Sequence, residues 1–312
     1  MHRQVPGFCL LVFGLIALAP GLAQRQSGLE EFHKAGIWQI DLANPGSRNS
    51  RTPLVADSAR NVGAQISPDG QQLVFQSNRS GNNEIWISDR DGSNRRQMTF
   101  FKKVTAGSPR WSPDRRKISY DVDWTKNGVV MTMDVFTRTA MSTAQKDSGN
   151  LVPNWSGDGR WLYFASNRSG DWQVWKMPTN GGRAVQLTRH GGFAAQESPD
   201  HEFVFYAKHR YPEPEIWKVP VNGGAEVRVS QSFHPGSWAN WAVAKHGIYF
   251  INREQTGRGY ALYFFDFVRQ DVQTLASLPN YSYYLSVSPD EMWAVYEQLD
   301  EDEAAVLLPS HN

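Results

Sequence analysis

The sequence is almost without cysteine. One of its 312 residues is Cys, and that residue, Cys9, lies inside an apolar run near the start. The surroundings of Cys9 read as a leader: Arg3 supplies a positive start, Phe8 to Leu18 an apolar run of eleven residues, and Gly21-Leu22-Ala23 a small-x-small cleavage site. Cleavage after Ala23 leaves 289 residues with no cysteine, so no disulfide braces the mature chain and its stability has to come from packing. An apolar run of eleven is short against the roughly 20 residues of a membrane helix. Export to the periplasm or the medium is therefore expected, without stable membrane insertion after cleavage; a retained N-terminal anchor is the alternative.

Charge of one sign is lacking too. Lys and Arg number 32 against 31 for Asp and Glu, and this balance argues against the basic stripe that holds nucleic acid, so no nucleic-acid partner is expected. The compact acidic run Asp300-Glu301-Asp302-Glu303 reads as a solvated loop. No G-x-S-x-G elbow, H-E-x-x-H, cysteine pair or phosphate-cradling P-loop occurs. Each absence removes one enzyme class without excluding catalysis, because a site can be assembled from separate segments.

What is present is a repeat. The stretch "SPDGQQLVFQSNRSGNNEIWISDRDG" from Ser67 to Gly92 returns as "SGDGRWLYFASNRSGDWQVWKMPTNGG" from Ser156 to Gly182. Its turn begins at Ser67, Ser112, Ser156, Ser198 and Ser288, and a degraded copy fits at Ala242, at spacings of 45, 44, 42, 44 and 46 residues. Alternating apolar residues follow each turn, as in Leu73 and Phe75 or Leu162 and Phe164, which is the period of a strand. A further strand at Ile85-Trp86 or Val174-Trp175 leads to a hairpin turn at Asp91-Gly92 or Asn180-Gly181, residues that tolerate positive φ. Four antiparallel strands in about 44 residues match one propeller blade. An all-β, six-bladed β-propeller of four-stranded antiparallel blades over residues 37–309 is expected, after a leader at 1–23 and a polar lead-in at 24–36, with a tail at 310–312.

Both ends look like parts of one blade. "AGIWQIDLANPGSRNSRTPLV" resembles the last two strands, and Tyr281 to Pro309 the first three. Joining them closes the ring and removes exposed sheet edges. The third strand is then supplied twice, by Ile37 to Leu42 and by Ala304 to Leu308, so one copy is displaced or a partial seventh blade exists; six blades is the favoured count.

The S-P-D-G turns, the "SNRSG" loops at Ser77 to Gly81 and Ser166 to Gly170, and the "IW" strands followed by "NGG" resemble the WD-like repeats of TolB-type six-bladed propellers of bacterial periplasmic proteins. The resemblance covers nearly all of the mature chain. It implies a fold, and a setting in the cell envelope where TolB works with a peptidoglycan-associated lipoprotein. The α/β domain that precedes the propeller in TolB is not expected, since only residues 24–36 stand before the first strand. The order of blades also resembles the C-terminal propeller of sensory regulators, without their winged helix.

Asp69, Asp114, Asp158, Asp200 and Asp290 recur in the turns, where the side chain bonds its own backbone. They read as turn chemistry and not as a carboxylate set. Two residues before each turn stand Gln65, Arg110, Asn154, Gln196, Asn240 and Ser286, six polar residues of six. They read as a ring lining the central channel, able to leave it as a water-filled tunnel or to hold a small polar ligand or a peptide end. In the apolar ring that follows, Glu197 is the exception, and a buried carboxylate needs a partner; Arg110 is one candidate. The loops before the inner strands carry Phe100, Phe101, Phe193, Phe233, Trp238, Tyr281, Tyr283 and Tyr284, of which Trp238 and Tyr284 are candidate anchors for a peptide or sugar. His190 and His234, at matching loop positions of neighbouring blades, are weak metal candidates, two ligands without a carboxylate; no metal or other cofactor is expected. The reading is an exported, monomeric, non-catalytic module that recognises an envelope or extracellular protein or peptide on one face. The alternatives are a carbohydrate-processing, lyase-like enzyme with its site at the channel mouth, or a ligand-sensing propeller.

Overall fold

In the computed structural model the chain forms a ring of six four-stranded antiparallel sheets, and no helix occurs among the described residues. The structure describes residues 34–299 apart from 48, 124–126, 143–147, 255–258 and 280–281. The leader, most of the polar lead-in, Tyr281, the acidic run, the second copy of the third strand and the tail lie outside the described residues.

Blades are numbered from their innermost strands: Asn61–Ile66 in blade 1, Ala106–Trp111 in blade 2, Asn150–Trp155 in blade 3, Phe193–Glu197 in blade 4, Trp241–Val243 in blade 5 and Ser282–Val287 in blade 6. Blade 6 is completed by the other end of the chain. Trp293–Leu299 pairs with Ala35–Asp41, which pairs with Arg51–Val55, so the N-terminal copy takes the third-strand place and six blades close the ring. The closing segment is fastened to blade 1. Asp57 meets Arg79 at 3.2 Å and Arg95 at 2.9 Å, and Gly92, at φ +81°, comes so close that a Cβ there would lie 2.1 Å from the Leu54 carbonyl oxygen.

The turns are built as their composition requires. In five of them the serine hydroxyl donates to the aspartate, at 2.6 Å in Ser67–Asp69, Ser112–Asp114 and Ser156–Asp158 and at 2.5 Å in Ser198–Asp200 and Ser288–Asp290. These turns form the lower face. The upper face carries the loops that enter the inner strands and the "SNRSG" loops. There Arg168 donates to Ser166 Oγ at 2.9 Å and Asn150 Oδ1 at 2.6 Å while lying over Trp175, and Arg79 repeats the set with Ser77, Asn61 and Trp86.

Blade 5 departs from the repeat. Val243 pairs with Ile248 and the Ala244 N–H closes on Gly247 O, whereas Ser156 in blade 3 closes on Trp161 O. The turn is two residues shorter, so the register expected from aligning Ala242 with Ser156 is shifted by two in the inner strand. Ala242, opposite Tyr249, takes the place that Asn154 occupies opposite Tyr163.

Candidate functional site

An innermost strand is a sheet edge, and its outward N–H and C=O groups need partners. The polar ring supplies them. Gln65 accepts from the Trp111 N–H at 2.6 Å, Asn154 donates to Ala195 O at 3.0 Å, Gln196 donates to Trp241 O and accepts from the Val243 N–H, both at 3.0 Å, and Ser286 accepts from the Ile66 N–H at 3.2 Å. Each side chain reaches the next blade's inner strand, so these residues are latches between blades. Asn240 is not among them: the shortened turn moves it out, and it is buried, accepting from Ser237 Oγ and donating to Ser282 O.

Arg110 is the departure. Its guanidinium donates to the adjacent Pro109 O at 2.8 Å, and burial lowers its pKa, opposed by Tyr284 and Asp121 nearby. Beside it lies a void of about 10 Å³ lined by Arg110, Asn154, Gln196 and Trp238, room for about one water.

The upper mouth of the channel has two unlike halves. One is aromatic: Trp172 packs edge-on against Phe193 at 5.6 Å, Phe193 against Trp238 at 5.2 Å, and Trp238 against Tyr284 at 5.6 Å. Trp238 donates to Tyr211 Oη at 3.0 Å, and the hydroxyls of Tyr211 and Tyr283 lie 2.6 Å apart. Of the expected anchors Trp238, Phe193 and Phe233 are core residues and Tyr283 and Tyr284 half-buried, while Phe100 stands 64% exposed. Tyr284 has φ +49° at a bulge of its inner strand, and its ring lies against Gly63, where a Cβ would come within 3.7 Å of it.

The other half is charged. One residue beyond the recurring aromatic of each second strand stand Gln76, Asp121, Ala165, Ala207, Ile251 and Glu297. The polar three belong to consecutive blades 6, 1 and 2 and are buried. Asp121 accepts from the Val152 N–H at 2.8 Å. Burial raises its pKa, and the Val152 N–H, Ser108, Arg110 and Arg210 oppose the rise. Gly107 makes the room: a Cβ there would lie 2.8 Å from Gln76 Oε1 and 3.3 Å from Asp121 Oδ1. Glu297 is 4% exposed, its Oε2 has no partner, and neither has Arg60 Nε. Burial pushes the Glu297 carboxyl up to about 7, with Arg60 acting against it. Burial, then Glu297 and Tyr211, push the Tyr284 phenol upward, with Arg60 opposing. Arg210, exposed on a blade 4 loop, lies over Phe193 at 4.8 Å.

Sequence reasoning missed Asp121, Glu297, Arg60 and Arg210; the readable signal was a carboxylate where sister blades carry alanine or isoleucine. Glu197 does need partners, but they are Tyr163 Oη at 2.5 Å, His201 Nδ1 at 2.6 Å and the Gly157 N–H at 3.0 Å, so the pairing with Arg110 is corrected. His190 stands 3.4 Å from Glu226 Oε1, His234 Nδ1 is buried without a partner, and among the described residues no three His, Cys, Asp or Glu side chains are grouped to hold a metal.

Residues 84–311 match the family described as the TolB β-propeller domain. A protein TolB homolog of Chlorobium chlorochromatii is 32% identical over 123 residues, 39% of this chain and 27% of the relative. The matched stretches span less than half the length of the curated relatives. Among solved structures, TolB from Acinetobacter baumannii superposes with a TM-score of 0.55 at 17% identity, covering 88% of this chain and 67% of that one. An oligogalacturonate lyase in complex with manganese reaches 0.56 at 14% identity, covering 83% and 78%. At such identities the likeness speaks for the fold.

Proposed function

This chain belongs to the TolB β-propeller domain family, and from that premise we propose that it is an exported, non-catalytic module that binds an envelope protein or peptide at the upper mouth of its channel. One observation carries the reading: buried polar atoms, Glu297 Oε2 and Arg60 Nε, lack partners beside an aromatic wall that ends at Trp238 and Tyr284. Unpaired buried polar groups are costly, and a peptide offering both backbone polarity and an apolar side chain suits such a mouth. The periplasm is the proposed location, in keeping with the leader-like residues 1–23 and with the family.

The test is a pull-down from envelope extract with the wild type, with a Phe100→Ser/Arg210→Ala double variant on the upper face, and with Phe136→Ser, whose exposed side chain lies on a third-to-fourth-strand hairpin at the lower face. Recovery of a partner by the wild type and Phe136→Ser, and its loss by the double variant, is expected. Equal recovery by all three proteins overturns the upper-face assignment. The likeness to the lyase favours carbohydrate cleavage as the second reading; release of an unsaturated product from oligogalacturonate in the presence of manganese would replace binding with catalysis.

A further inference from the structure

A second departure from the repeat lies between blades 4 and 5, toward the lower face. At the sister junction of blades 3 and 4 the gap is filled. Tyr163 donates to Glu197, His201 closes over Gly157, and Lys176, 7% exposed, donates to Val221 O at 2.5 Å. At the junction of blades 4 and 5 every filler but the lysine is changed. Phe205 stands for Tyr163 and offers no hydroxyl, Val243 stands for Glu197, and the turn that would carry a counterpart of His201 is two residues shorter. The result is a half-open cavity of about 510 Å³ with Phe203, Phe205, Phe267 and Val229 as apolar lining and Lys218 and Lys245 among its polar residues.

The two ammonium groups define the ligand. Lys218, the counterpart of Lys176, lies over the Phe203 ring at 4.3 Å, and among the described residues neither Lys218 nor Lys245 gives its ammonium to a carboxylate or a carbonyl. The cavity's own carboxylate, Asp200, is occupied by Ser198 Oγ at 2.5 Å and the Glu202 N–H at 3.0 Å. The volume falls in the range of small-molecule sites, about 300 to 1,000 Å³, which are apolar with a few polar groups that fix orientation. We propose that this inter-blade cavity binds a small amphipathic carboxylate, its apolar body on Phe203, Phe205 and Phe267 and its carboxylate at Lys218 and Lys245. The site is separate from the upper mouth and does not rest on the function proposed there.

The test uses 4-phenylbutyrate and its uncharged analogue 4-phenylbutanol, each titrated calorimetrically into the intact protein. The carboxylate binds about tenfold or more tightly than the alcohol, and the preference weakens with added salt as a partly exposed ion pair should. Lys218→Gln/Lys245→Gln removes the preference, Val229→Trp fills the cavity and abolishes binding, and Lys102→Gln/Lys103→Gln, exposed lysines elsewhere, change nothing. Thermal melts identify any variant that fails to fold, and the lysine pair then decides by itself because Lys245 is exposed and Lys218 only half-buried. No binding by the wild type, equal binding of acid and alcohol, or unchanged binding by folded Val229→Trp each overturns the proposal.

Discussion

Glu297 makes the stability of the propeller depend on pH in a calculable way. Its carboxyl is 4% exposed, and burial lifts its pKa from 4.5 to about 7 against the opposing field of Arg60. Between those values the folded protein holds a proton that the unfolded chain has released, so stability falls as pH rises through this window and levels off above it. The gap corresponds to roughly 3 kcal/mol at 1.36 kcal/mol per pH unit. Glu297→Gln keeps the shape and is neutral throughout. Contributions from every other titrating group are shared by the two proteins and cancel in their difference. Equilibrium urea unfolding, followed by tryptophan fluorescence at constant ionic strength, is expected to show the difference moving in favour of the variant by roughly 2 to 3 kcal/mol from pH 5 to pH 8. A difference that stays constant across that range refutes the placement of an uncompensated carboxyl at the mouth.

Two further predictions concern the ring itself. Gln196→Ala removes both bonds that tie blade 4 to the inner strand of blade 5 and leaves two backbone groups unpaired; a loss of roughly 1 to 3 kcal/mol in urea unfolding is expected, and a change below about 0.5 kcal/mol would return Gln196 to the role of a channel-lining residue. Gly92→Ala, at positive φ and against Leu54 O, has to displace the closing strand; a loss of at least about 1 kcal/mol is expected, and protease nicking of the N-terminal segment should quicken.

The spacing of the turns carried the blade count, because the serine–aspartate pair fixes the hairpin locally and needs no tertiary information. The identity of the third strand in blade 6 was open for a physical reason: two segments, Ile37 to Leu42 and Ala304 to Leu308, have strand patterns that fit the same edge, and only pairing with Trp293–Leu299 decides. The misplacement of Asn240 came from assuming a constant turn length. "WAVAKHGIYF" aligns with "WSGDGRWLYF" without a gap, but the turn that closes on Gly247 opens at Ala244, two residues later than the alignment places it.

The latching role of the polar ring was not legible in the sequence for a more general reason. A polar residue on an innermost strand can face a ligand or serve the unpaired backbone of the neighbouring strand, and its identity is the same in both cases. Asn, Gln and Ser carry a short donor or acceptor that suits the backbone, so the four positions that repeat this chemistry are explained by closure of the ring. Arg110 breaks the pattern because a guanidinium has no acceptor and is too long for the latch. It departs toward Tyr284 and Asp121, the same side on which Gln76 and Glu297 replace the alanine and isoleucine of other blades. The buried acidic groups at the mouth thereby lie in blades 6 and 2, and aromatic side chains run from blade 3 round to blade 6, which a sixfold repeat optimised for packing alone would not require. A binding role therefore draws its support from the departures from the repeat, and each of them can be reverted singly to the residue its sister blades use.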